Sequence, residues 1–206
     1  KTTGVGLNRN IGLALSDADI ILFADDDSTY YEGYSDIVLK AFNDLPDADA
    51  IVFQTRPISN GQIKKPNFSK TQRLHSWNGL KFGALQIGIK RKSLQKSQIA
   101  FNQLFGGGCK YSSGEDSLFL LDCYRKKLRV YSYAALISEN ISDGSTWFEG
   151  YNEKFFFDKG AFAASAFHKA KRLICLYYLY VFRRHKELNS KKKLKLMIDG
   201  SKCYKE

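Results

Sequence analysis

Three carboxylates stand side by side at Asp25, Asp26 and Asp27, directly after the apolar run DIILFA of residues 19–24. Like charges repel at such spacing, and a carboxylate withdrawn from water without a partner is costly. A divalent cation removes that conflict. Mg²⁺ and Mn²⁺ take oxygen ligands and commonly bind through one or two carboxylates together with substrate phosphates. The triplet therefore reads in two ways, as a metal site for a phosphorylated ligand or as a solvated turn with helix-capping aspartates. A second acidic pair, Glu115 and Asp116, closes the glycine-rich stretch FGGGCKYSSGED of residues 105–116. Acids suit the first turn of a helix, with Ser112 or Ser113 as its cap. The pair also suits a general base, which takes the proton from a hydroxyl as it attacks an electrophilic carbon.

The elements that would hold these groups follow from hydrophobic patterning. A short helix is expected over residues 9–15, with Asn8 as its cap. Residues 19–24 are continuously apolar after Asp19, as in a strand buried on both faces. Tyr34, Ile37, Val38 and Phe42 recur at helical spacing. ADAIVFQTR, residues 48–56, reads as a second buried strand. Strand, helix and strand in this order imply a right-handed βαβ unit. A helix over residues 68–80, a strand over 84–91, a helix from Asp116, a strand over 128–137 and helix from Phe155 onward complete the pattern. The expected class is α/β, a mostly parallel sheet flanked by helices, with residues 1–150 as the α/β unit and 151–206 as a helical, basic extension. Such sheets place ligands beyond the carboxyl ends of their strands, where the acidic triplet falls.

Three segments carry a resemblance. RNIGLALSDADIILFADDDS, residues 9–28, is similar to the middle of the family 2 glycosyltransferases, which have the GT-A fold. FGGGCKYSSGEDSLFLLDCYRKKLRVY, residues 105–131, resembles their acceptor loop and Glu-Asp motif. STWFEGYNEKFFFDKGAF, residues 145–162, resembles the region after the catalytic core in bacterial polysaccharide-assembling members. The resemblance implies a single inverting displacement from a nucleotide-sugar donor, a UDP-sugar, to a saccharide or lipid-linked glycan. Asp25 and Asp27 match the Asp-x-Asp positions that hold Mg²⁺ or Mn²⁺ and the donor diphosphate, and Asp26 is the intervening residue. Arg9 matches an arginine near the nucleotide. Asp116 matches the catalytic base, with Glu115 and Gly107 on the acceptor side. The resemblance further implies two β-α units ahead of residue 1 that bind the nucleotide base. It also implies a histidine after the strand that follows the Glu-Asp helix. That stretch here is LISENISDGSTW, where either Asn140 or Asp143 supplies oxygen instead or the metal is held more weakly. The alternatives are an inactive glycan- or nucleotide-binding module and a nucleotidyltransferase. The latter leaves Glu115 and Asp116 after the glycine loop unexplained.

Aromatic faces stack on sugar rings, which makes Trp77 and Trp147 candidates for an acceptor wall, with core packing as the other reading. With 206 residues, 44% hydrophobic and 14% aromatic, the chain can bury a sizeable core and is not a disordered polymer. Four widely spaced cysteines without a Cys-x-x-Cys pair argue against a zinc site or disulfide framework and for reduced, cytosolic thiols. The net charge is +11, concentrated at the end of the chain. No nucleic-acid motif accompanies it, so nucleic acid is not an expected partner. RLICLYYLYVF, residues 172–182, is too short to span a bilayer. Between basic flanks it reads either as an interfacial helix on anionic lipid or as a helix packed on the domain. The expected location is cytoplasmic, at most peripheral on the inner face of the cell membrane.

Overall fold

A computed structural model describes residues 4–25, 28–59, 62–63, 68–141 and 148–204. In chain order the elements are α1 Val5–Leu15, β1 Ile20–Leu22, β2 Ser28–Tyr30, α2 Tyr34–Asp44, β3 Ala50–Ser59, β4 Gln62–Ile63, β5 Gln72–Arg73, a 3-10 turn Ala84–Gln86, β6 Ile87–Lys90, α3 Arg91–Ser97, α4 Glu115–Arg125, β7 Val130–Ile141, α5 Glu153–Ala166, a second 3-10 turn His168–Ala170, α6 Lys171–Val181 and α7 Ser190–Cys203.

One sheet runs in the order β1-β6-β3-β7-β2, with β4 added to β3 and β5 to β7. Among the described strands only β3 and β7 pair in parallel, from Ala50 opposite Val130 to Ile58 opposite Ile141. The other pairings are antiparallel. The sheet is therefore mixed, not mostly parallel. The strand–helix–strand order β1-α2-β3 is present, but β6 returns between the two strands and pairs antiparallel with both. Apolar patterning marks Ile87 and Ile89 as fully buried without revealing which way the strand runs.

Alternation along β3 builds both faces of the core. Ala50 and Val52 point to a cluster with Phe23, Ile87, Ile89, Phe101, Phe119 and Leu120. Ile51 and Phe53 point to the opposite face, against Val38, Ala41 and Phe42 of α2. A third cluster joins Phe105, Tyr111, Leu118 and Leu121 to Ala161 and Phe162 of α5. A fourth joins Phe156 and Ala163 of α5 to Cys175 of α6 and Met197 of α7. Helices α5 and α7 meet at Gly160, where a Cβ would lie 1.9 Å from the Met197 carbonyl oxygen.

Other local expectations change. The β1 residues Ile20, Ile21 and Leu22 are only half-buried, because β1 has a described neighbour on one side alone. Helix α1 starts at Val5 behind Gly4, so Asn8 is internal and caps nothing. Residues 68–80 form β5 and a run of turns, not a helix. There the Asn78 side chain accepts from the His75 backbone N–H at 2.8 Å, and the His75 carbonyl accepts from Asn78 and Gly79. Such a side-chain-supported turn competes with helix. The 84–91 segment opens as a 3-10 turn before β6, and α3 follows it without having been expected.

Candidate active site

Helix α1 is fastened by two contacts before its functional side chain is reached. Asn10 exchanges a reciprocal pair of hydrogen bonds with the Phe101 backbone, at 2.9 and 2.7 Å. The Val5 N–H donates to the Gly107 carbonyl at 3.1 Å. The Arg9 guanidinium then sits 5.2 Å from the centre of the Phe101 ring and is only 11% exposed.

From there Arg9 gathers three carboxylates. Its Nη2 donates to Asp25 Oδ1 at 2.9 Å, and its Nη1 to Asp116 Oδ1 at 2.6 Å. Glu115 Oε1 lies 3.4 Å from the same Nη1. Asp25 follows the end of β1, and Glu115 and Asp116 open α4, so one guanidinium ties residues more than 100 positions apart. Planar donors in a fixed fork suit this bridging role, which a lysine point charge would not reproduce.

Three features place α4. Gly114 precedes it with φ 123° and no side-chain cap. Ser112 and Ser113 do not cap it: the Ser112 N–H and hydroxyl instead donate to Asp158 of α5, at 2.9 and 2.8 Å. Asp158 also accepts from Lys154 at 2.7 Å. The Ser117 hydroxyl donates to the Leu80 carbonyl at 2.7 Å, joining α4 to the turn that carries Trp77. Gly106 has φ 107°, and a Cβ there would lie 2.5 Å from Val5 and 2.8 Å from the Glu115 carboxyl carbon. The glycine loop thus lets α1 and the acidic pair approach each other.

Burial pushes the Asp116 carboxyl up to about 6, and the neighbouring Glu115 charge adds to the rise. The Arg9 charge and a backbone hydrogen bond involving Ala84 oppose it. Arg9 is itself held above its ordinary value: burial lowers it, but Asp116, Asp25 and Glu115 together outweigh that. With every group ionised, three carboxylates face one guanidinium, a local excess of negative charge that a cationic ligand would offset.

The structure brings Arg9, Asp25, Glu115 and Asp116 into one cluster, with Gly107 behind it against α1. Asp26, Asp27, Asp143 and Trp147 lie outside the described residues. Among the described residues no three His, Cys, Asp or Glu side chains are grouped to hold a metal. Asp25, 39% exposed, offers oxygen of the kind a hard divalent cation takes. A groove of about 550 Å³ between α1 and β1 reaches this cluster and is lined by Asn8, Arg9, Leu13, Ile21, Ala24 and Asp25. Trp77 is elsewhere. It is 79% exposed, stacks on His75 at 4.3 Å, and lines a second groove of about 580 Å³ with Lys81, Ser117, Phe162 and Tyr177. Ser117, the residue after Asp116, thus lines that groove. Sequence reasoning gave no role to Asn10 or Asp158. Asn10 stands beside Arg9 in the sequence, and Asp158 follows three phenylalanines in a stretch otherwise read only as helix.

No protein-family model matches the chain, and no curated protein sequence matches it. The fold has solved counterparts. Staphylococcus aureus TarS, residues 1–349, in complex with UDP-GlcNAc, superposes with a TM-score of 0.66 at 17% identity over 97% of this chain and 60% of that one. The same fragment in complex with UDP gives 0.61 at 18% identity over 92% and 56%. A further TarS structure gives 0.60 at 19% identity over 88% and 32%. The chain shares the mixed α/β fold of these proteins and spans at most 60% of their length.

Proposed function

We propose that the chain carries the catalytic centre of a glycosyltransferase that moves a sugar from a nucleoside-diphosphate sugar to a saccharide or lipid-linked glycan. The observation behind this reading is the meeting of Arg9, Asp25 and Asp116 after β1, in a fold shared with a protein solved with UDP-GlcNAc and UDP. In this reading the diphosphate enters along the α1–β1 groove and competes with Asp116 for the Arg9 guanidinium, since phosphate oxygens suit the same planar donors. Asp25 and Asp27 would hold Mg²⁺ or Mn²⁺, which supplies positive charge to the departing diphosphate. Asp116, relieved of Arg9, takes the proton of the attacking acceptor hydroxyl. The new bond forms between that oxygen and the anomeric carbon, and the bond to the diphosphate breaks with its electrons leaving on phosphate, inverting the centre. Paired with Arg9 the carboxyl stands at about 6 and is ionised at neutral pH; once the diphosphate draws the guanidinium away it becomes a stronger base, and so takes the hydroxyl's proton more readily. Trp77 and its groove offer an aromatic surface to the acceptor.

Calorimetric titration of UDP with and without Mn²⁺ tests the reading. Metal-dependent binding that Asp27→Asn abolishes and Asp116→Asn retains is the expected result, with Asp116→Asn losing transfer. Equal loss of UDP binding in both variants overturns the division of roles. No binding of UDP, GDP or CMP by the unaltered chain overturns the donor site.

A further inference from the structure

Helix α6 is apolar on both sides. Its inner face, Ile174, Cys175, Tyr178 and Leu179, packs into the cluster built by Phe156, Ala163 and Met197. Its outer face carries Leu173, Leu176, Tyr177, Tyr180 and Val181, which are 68, 50, 59, 63 and 40% exposed. These five recur at i, i+3, i+4, i+7 and i+8, so they form one stripe along the helix. A solvated helix face normally carries charged and amide side chains, and the only polar atoms of this stripe are the Tyr177 and Tyr180 hydroxyls.

Charge around the stripe is mainly positive, with Glu187 the one acid in the sequence between residues 167 and 188. Exposed Lys169 and Arg172 lie at its start, and exposed Arg183, Arg184 and Lys186 follow its end. The end is held in place by Lys193, which is 2% exposed and donates to the Phe182 carbonyl at 3.0 Å and to the His185 carbonyl. At the other side of the stripe, Tyr177 and the exposed Trp77 line the same groove. Tyrosine and tryptophan favour the boundary between water and hydrocarbon, and cations favour an anionic headgroup layer. Among the described residues no helix is long and apolar enough to cross a membrane.

We infer that α6 docks in the plane of an anionic lipid surface, with its outer stripe among the acyl chains and its flanking cations on the headgroups. Charge complementarity selects this occupant. A second copy pairing through the same stripe would bring the same cations against one another, whereas a layer of phosphate headgroups neutralises them. The inference does not depend on the donor or on catalysis.

Co-sedimentation with vesicles tests it, using phosphatidylcholine alone and phosphatidylcholine mixed with phosphatidylglycerol. Binding is expected on the anionic vesicles and to fall as salt is added. Leu173→Gln with Leu176→Gln should weaken it at least about tenfold. Arg183→Gln with Arg184→Gln should remove most of the preference for anionic lipid. All four positions are exposed, and unchanged melting temperatures confirm that the variants fold. Equal binding to neutral vesicles, undiminished binding of both variants, or no vesicle binding overturns the inference. A dimer in analytical centrifugation that the leucine pair dissolves, without vesicle binding, assigns the stripe to self-association and equally overturns it.

Discussion

Replacing Arg9 by methionine removes one charge from three carboxylates while keeping an apolar stem over Phe101. Arg9 Nη1 lies 2.6 Å from Asp116 Oδ1, which puts the charge centres roughly 4 Å apart. At an effective dielectric constant of about 20, that pair is worth about 4 kcal/mol, or about 3 pKa units as a ceiling. Solvent at Asp25, 39% exposed, and uptake of a proton by the cluster both reduce the figure. Asp116 should therefore rise from about 6 by at least about one unit. ¹³C-carboxyl NMR reads this directly, with Asp116→Asn assigning the resonance. Stability gives a second reading. The Asp116 pKa is above the ordinary 3.8, so the folded state holds its proton more tightly than the unfolded chain does. Its contribution is complete below about 4 and is lost as pH rises through about 6. In Arg9→Met that loss extends to higher pH, because the proton takes the place of the guanidinium. Breaking a mostly buried pair costs about 3–5 kcal/mol, so the variant should lose about 3 kcal/mol at pH 8 and clearly less at pH 5. An Asp116 midpoint that stays or falls, or an equal loss at both pH values, refutes the assignment of Arg9 as the charge that counters Asp116.

Four further outcomes follow from the geometry. Asp116→Asn should flatten the stability profile between about pH 4 and 6, which urea melts across that range check. Gly106→Ala should displace Glu115 or Val5, since its Cβ would lie within 3 Å of both. A loss of about 1–3 kcal/mol in thermal melts is expected. Asp158→Asn removes a charge that accepts from Ser112 and Lys154 and should speed amide exchange across residues 106–114 before it affects α2. Gly160→Ala should destabilise by more than 2 kcal/mol, because α7 must move away from α5. Denaturant midpoints read that loss.

The clustering at the candidate site involves residues that the sequence alone marks out. Arg9, Asp25, Glu115 and Asp116 were named as chemically marked residues, and the structure places the three carboxylates within reach of the Arg9 guanidinium. Of the loop glycines, Gly107 was expected on the acceptor side. Gly107 contributes a carbonyl to Val5, whereas Gly106 is the residue whose missing side chain lets Glu115 and α1 approach. The helix expected over residues 68–80 is absent, and at residues 75–79 the Asn78 side chain supports a turn in its place.

By itself the sequence determined most element types and the composition. Continuous apolar runs, helical periods and acids placed after glycines are local properties, and local properties set which backbone forms and which face is greasy. It also determined that α6 would be apolar between cations. The tertiary structure alone decided the direction of β6, and hence the mixed sheet, because an apolar strand pairs equally well by its backbone in either sense. It alone decided that Asp116 answers to Arg9, 107 residues away, since charges interact through space. And it alone decided that one side of α6 is covered by α5 and α7 while the other faces outward, because periodicity shows a stripe without showing what lies against it.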